Sequence, residues 1–268
     1  MKNLEDGSIE VEDWMDLQNV LFDFKPHNDH GRFRSNFGYR GVDISTYDLE
    51  SSLIRIGNTE METHLLRNFQ KYTRSLLKNE RNEWELLSVA QHYGLPTRLL
   101  DWSFSPYVAL HFATGDISKF DKDGAIWCLD ITEIHKKLPK VLREKLMSEK
   151  SYVFTVEAIH DVVKDIKTFD SLEEENIVLC LEPPSIDERI INQYAMFTVM
   201  NNPNLKLDEL ISSSTNLYKK IIIPSSLKLE IRDKLDQANI NERMIFPGLQ
   251  GISSWLKRYY TDINLINK

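Results

Sequence analysis

The sequence predicts an α+β fold, a mixed or mainly antiparallel sheet with flanking helices. Helical periodicity dominates residues 8–22, 60–78 and 82–92, ahead of most of the strand-like runs. Apolar, β-branched runs bounded by turn residues then follow in GAIWCLDIT, NIVLCLEPP, NQYAMFTVM and KKIIIP. No glycine-rich strand-to-helix turn is present, which argues against a doubly wound sheet.

The elements follow in order. Residues 8–22 form an amphipathic helix with Trp14, Leu17, Val20 and Leu21 on one face, capped by Ser8 or Asp13. A polar turn, KPHNDHGR, precedes a short strand that ends in Phe37-Gly38-Tyr39-Arg40-Gly41. Leu65, Leu66, Phe69, Tyr72, Leu76 and Leu77 recur at helical spacing across 60–78. A helix from Asn82 to His92 stops at Gly94, with Pro96 just beyond. LPTRLLDWS is extended or turning. SPYVALHFAT is a helix, with Ser105 as N-cap and Pro106 at its first position. Residues 134–150 read as a charged surface helix, and IRDKLDQANI and GISSWLKRYY as closing helices. DSLEEEN, NNPN and SSST are loops. The chain divides into a helical extension over 1–30 and a main domain over 31–268.

Composition bounds the function. At 268 residues the chain can bury a core without disulfides or a structural metal. A net charge of −8 argues against sequence-blind nucleic-acid binding. Cys128 and Cys180 sit in apolar runs and read as small buried hydrophobes. No CxxC, HExxH or EF-hand pattern appears, so no metal is expected. The acidic N-terminus lacks a signal-peptide pattern, and no run of about 18 apolar residues exists. A cytoplasmic protein with no membrane partner is expected.

Chemistry concentrates in residues 91–113, QHYGLPTRLLDWSFSPYVALHFA. An imidazole, a guanidinium, a carboxylate, an indole and several hydroxyls share one connection between helices, where binding groups are commonly placed. A structural account competes: Arg98 paired with Asp101, Trp102 buried and His92 bonded to backbone. Tyr39-Arg40-Gly41 is a second piece, since Arg followed by Gly can reach a cleft and its planar fork suits phosphate or carboxylate. Alone, it reads equally as a surface Arg beside a turn. The third piece is Arg189 and Gln193, four apart on one helical face, followed by Phe197 and Thr198. A solvent-facing Arg and a strand-capping Gln are the alternative.

Together and in this order, the three pieces resemble the FRG domain family, named for a Phe-Arg-Gly triplet. Here that triplet is Tyr39-Arg40-Gly41, with Tyr for Phe. The stretch 91–113 is similar to the family's strongest motif nearly throughout. The later pattern resembles Arg189, Gln193, Phe197 and Thr198, with Ala195 at a family glycine. A second resemblance is to ADP-ribosyltransferases, which hold NAD phosphates with an Arg on an early strand and then run a Ser-x-Ser strand into a helix ending A-x-x-F-A. Arg40 looks like the first element. Ser103 and Ser105, with Ala109, Phe112 and Ala113, look like the second. A Glu ahead of a late strand is missing: Lys220 or Gln193 stands there, and Asp101, Glu182 or Glu188 could substitute.

These resemblances imply a pocket for NAD or a similar small anionic nucleotide. Arg40, Tyr93, Thr97, Arg98 and Ser105 would bind it, and His92, Asp101, Ser103 and Gln193 would act on it. Three functions stay open: an NAD-dependent ADP-ribosyltransferase or NAD hydrolase, a non-catalytic binding or regulatory module, and a metal-free hydrolase built on Ser103 or Ser105. Arg40, His92, Arg98, Asp101 and Ser103 are expected to line one cleft. Leu99, Leu100, Trp102, Ala109, Leu110 and Phe112 are expected in the core.

Overall fold

A computed structural model describes residues 1–23, 31–77, 82–212, 214 and 216–262. Most of the expected KPHNDHGR turn, the end of the 60–78 helix at Lys78 and part of the SSST loop lie outside these residues. The fold is α+β, an open nine-stranded sheet with flanking helices. The strands are β1 (Lys2–Asn3), β2 (Ile9–Glu10), β3 (Phe37–Val42), β4 (Leu100–Ser103), β5 (Gly124–Asp130), β6 (Phe154–Thr155), β7 (Val178–Glu182), β8 (Ala195–Met200) and β9 (Tyr218–Ile223). Their order across the sheet is β1-β2-β9-β5-β3-β4-β8-β7-β6. Neighbours are antiparallel except β2 with β9 and β6 with β7.

Helix ends follow the capping chemistry. Asp13 caps Trp14–Phe22, Asn82 caps Glu83–His92 and Ser105 caps Pro106–Ala113, each with its side chain on a backbone N–H two or three residues inside. Gly94 takes a left-handed φ of 82°, which ends the second of these helices. The surface helix expected at 134–150 is two helices, Ile131–His135 and Lys140–Glu149. Pro139 separates them because it has no N–H to continue the ladder. The NQYAMFTVM strand also begins late, since Asn192 and Gln193 end the helix Glu188–Gln193 and the chain turns at Tyr194.

The sheet face carrying Tyr39, Ser103 and Phe197 is covered by two separate apolar clusters. One packs Leu66, Trp84, Leu87 and Phe154 under β7 and β8. The other packs Leu17, Leu21, Leu110 and Ile231 under β3, β5 and β9. A third cluster, with Leu100, Trp102, Trp127 and Met196, covers the opposite face. Cys128 and Cys180 are buried and unpaired, as their apolar surroundings imply. Among the described residues, no helix is long and apolar enough to cross a membrane.

The joint between β3 and β4 places the site. Six residues of β3 pair with β5, yet only Tyr39 pairs across to β4, at Ser103. β4 pairs over its four residues with β8 on its other side. The two halves of the sheet therefore part beyond Tyr39, between the two clusters on one face.

Candidate functional site

The parting holds a cavity of about 260 Å³. Arg40 enters it from β3, and one of its terminal nitrogens donates to the Asp101 main-chain carbonyl at 2.6 Å. A side chain thus makes the cross-strand bond that a ladder would have made. Gly41 allows the close approach on the other side: a Cβ there would lie 1.8 Å from the Ala109 carbonyl oxygen and 2.7 Å from the Ala113 nitrogen. The Arg-Gly pair is accordingly one wedge and one close contact, on consecutive residues.

Arg40 is underpaired. Its Nε is buried with no hydrogen-bond partner, and among the described residues no carboxylate forms an ion pair with it. Burial lowers its pKa; the Asp101 carboxylate opposes this and the Arg55 charge adds to it. The Asp101 carboxylate is exposed at the cavity, where Gln91 Nε2 donates to it at 2.8 Å. Gln91 is set in turn by Thr97, whose hydroxyl donates to Gln91 Oε1 at 2.5 Å.

Four other elements close the cavity. His92 meets Asp187 at 2.5 Å through Nε2, tying the end of Glu83–His92 to the N-cap of Glu188–Gln193. That short helix turns Arg189, Ile190 and Gln193 toward the cavity, so the spacing of four does share a face. Val108 and Phe112 contribute from Pro106–Ala113, and Ala195 and Phe197 from β8.

Arg40, His92, Asp101, Ser103 and Gln193 therefore line one cavity, but the other candidates stand elsewhere. Arg98 faces away. Its guanidinium is buried against Glu62 and Asp170, with Nε 2.8 Å from Glu62 Oε2 and a terminal nitrogen 3.0 Å from Asp170 Oδ2. Burial alone would lower its pKa, yet the two carboxylates hold it raised. The Arg98–Asp101 pair of the competing structural account does not form: Arg98 lies ahead of β4 and turns to Glu62 and Asp170, whereas the Asp101 carboxylate accepts from Gln91. Tyr93 is exposed outside the cavity, and Thr97 is buried one layer behind it. The Ser105 hydroxyl accepts from the Val108 N–H as the helix cap and does not line the cavity. Ser103 does line it, but its hydroxyl donates to the Gln193 carbonyl at 2.6 Å and accepts from the Ser105 N–H at 2.9 Å. Among the described residues no acid–base group hydrogen-bonds to that hydroxyl, which removes the support for a serine hydrolase.

Leu99, Leu100, Trp102, Ala109 and Leu110 are core, and Trp102 Nε1 donates to Thr198 Oγ1 at 3.0 Å. Phe112 is not core. It is 39% exposed, because its turn of helix faces the open mouth of the cavity. Lys220 lies over the Trp127 ring at 4.7 Å on β9, two strands away from the parting. Glu182 and Glu188 do not line the cavity either. The sequence placed Gln91 and Arg189 within the motifs but assigned neither a binding or catalytic role; both line the cavity. Among the described residues no group of three or more His, Cys, Asp or Glu is arranged to hold a metal ion.

An Arg-Gly wedge at the end of an early strand, facing the 91–113 stretch across a parted sheet, is the arrangement in which this site is built. Residues 35–122 match the FRG domain, so the chain carries an FRG domain that supplies Arg40 and the Gln91–Phe112 side of the cavity. No curated protein and no solved structure matches the chain.

Proposed function

We propose that the cleft is a nucleotide pocket of the NAD or ADP-ribose type. The observation that carries this reading is Arg40: a partly buried arginine whose Nε is fully buried and orphaned, with no carboxylate partner among the described residues. Burying such a charge is costly unless something pairs with it, and a diphosphate matches its planar fork. The site also fits the rest of such a ligand. Phe112, 39% exposed at the mouth, offers apolar surface to a ring, and the exposed Asp101 carboxylate offers an acceptor to ribose hydroxyls. The cavity lies just below the usual ~300–1,000 Å³ of ligand pockets, so a dinucleotide would seat one half inside and leave the other at the mouth.

If the pocket is catalytic, the reaction is cleavage of the nicotinamide–ribose bond, as in an ADP-ribosyltransferase or NAD hydrolase. Asp101 is then the carboxylate beside the developing oxocarbenium ion. Gln91 orients it and Thr97 orients Gln91. A binding module that performs no chemistry is the second reading. Its support is Gln193, a neutral amide, which lines the cavity just ahead of β8 where the resemblance calls for Glu.

Calorimetry with NAD and ADP-ribose on wild type and Arg40→Lys tests the pocket. Wild type should bind, and the lysine variant should bind at least about tenfold more weakly, since it keeps the charge and loses the fork. No binding by wild type at millimolar ligand would reject the nucleotide reading. Release of free nicotinamide from NAD that disappears in Asp101→Asn supports the enzyme; binding without release supports the module.

A further inference from the structure

We infer that Arg189 is the second anion-recognition residue of the cleft, and that the cleft selects ligands carrying a diphosphate over those carrying one phosphate. This rests on the nucleotide reading above and narrows it. Arg189 lines the same cavity as Arg40 but comes from the opposite wall, on the helix Glu188–Gln193. Among the described residues no carboxylate pairs with it. Its guanidinium lies over the Phe246 ring, 5.2 Å from the centroid. A guanidinium held over an aromatic ring spends none of its N–H donors on a carboxylate, and those are the donors that grip phosphate oxygens.

The seat is built rather than incidental. At one end of the short helix, Asp187 Oδ1 accepts from the Ile190 N–H while Oδ2 meets His92. At the other end, Asn192 donates to the Met244 carbonyl at 2.7 Å and Gln193 donates to the Ile245 carbonyl at 3.3 Å. Phe246 continues that same backbone. It is braced from behind by Gly251, where a Cβ would lie 1.8 Å from the Phe246 carbonyl oxygen. The ring that carries Arg189 and the helix that presents it are thus fixed to one another. Both lie beyond residues 35–122, so a later part of the chain supplies a second charge beside that of the Arg-Gly wedge. Two guanidiniums on opposite walls suit two linked phosphoryl groups, each taking one fork. A single phosphate satisfies one wall alone.

The test measures binding of ADP-ribose, AMP and inorganic diphosphate to the full chain, as wild type, Arg189→Gln and Arg189→Lys. Arg189 is exposed, so neither variant should unfold the protein, which circular dichroism checks. Arg189→Gln should weaken ADP-ribose and inorganic diphosphate about tenfold while changing AMP by less than about threefold. Arg189→Lys should recover only part of the loss, because the ammonium keeps the charge but lacks the planar fork. Equal losses for all three ligands, or none, with wild-type binding intact, would overturn this inference and leave the nucleotide pocket standing. Diphosphate bound as tightly as ADP-ribose also supports the two-wall clamp, but removes the nucleoside from the recognition. Failure of wild type to bind any of the three rejects both.

Discussion

Arg98 and Arg40 both come from the segments that carry the FRG resemblance, and both are at least partly buried, but their surroundings differ in kind. Arg98 is surrounded by two carboxylates, of Glu62 and Asp170, and the Met200 main-chain carbonyl. Arg40 has one main-chain carbonyl and an orphaned Nε, in the parting between β3 and β4. A guanidinium with its carboxylates already in place fixes a loop. One without them is held ready for an anion from outside. Charge and residue type are identical, so only the identity of the neighbours separates architecture from recognition.

The comparison is broken most directly at Arg98. Arg98→Met leaves Glu62 buried without its cation and should cost about 3–5 kcal/mol in urea unfolding. A loss under about 1 kcal/mol would mean that the cluster fixes nothing. Trp102→Ala should cost a similar amount, about 3–5 kcal/mol, because the indole is buried under β4 and β8. A thermal shift within error of wild type would place Trp102 outside the core.

The next effect is a pH dependence of the buried scaffold. Burial, and after it the Arg232 guanidinium, pushes the His111 pKa down to about 3. Burial likewise pushes His135 down to about 4, against its hydrogen bond to the Tyr152 carbonyl. Both imidazoles take up protons more readily in the unfolded chain. Their contribution to stability is therefore complete above about pH 6.5 and drains away as pH falls toward those values, by about 1.4 kcal/mol per pH unit for each. Urea midpoints between pH 7 and pH 5 should fall, and the slope should shrink in His111→Asn. A flat profile would show that neither histidine is buried neutral. The smallest effect belongs to Arg40. Arg40→Gln removes one hydrogen bond and relieves a partly buried charge, so stability should change by less than about 1 kcal/mol while ligand binding is lost. A large destabilisation would make Arg40 a second Arg98.

Much of this was legible in the chain. Ser105-Pro106, Asn82 and Gly94 announce helix ends by local chemistry, and the β-branched runs announce strands, so element types follow from nearest neighbours. The pairing of Arg98 was not legible, because Glu62 and Asp170 lie 36 and 72 residues away and neither stands in a motif. Phe112 was misassigned for a related reason. Its apolar neighbours predict a buried face, and only the parting of β3 from β4, a property of the assembled sheet, leaves it at an opening.

That parting has a mechanical consequence. Five strands on one side and four on the other are stapled at a single residue pair, Tyr39 with Ser103. The seam between these two plates is held by that pair and by the Arg40 bond to the Asp101 carbonyl, where the β3–β5 and β4–β8 seams carry runs of six and four residue pairs. Whatever occupies the gap and touches both plates acts as the rungs that the backbone omits, so its arrival registers as stiffening along the whole seam.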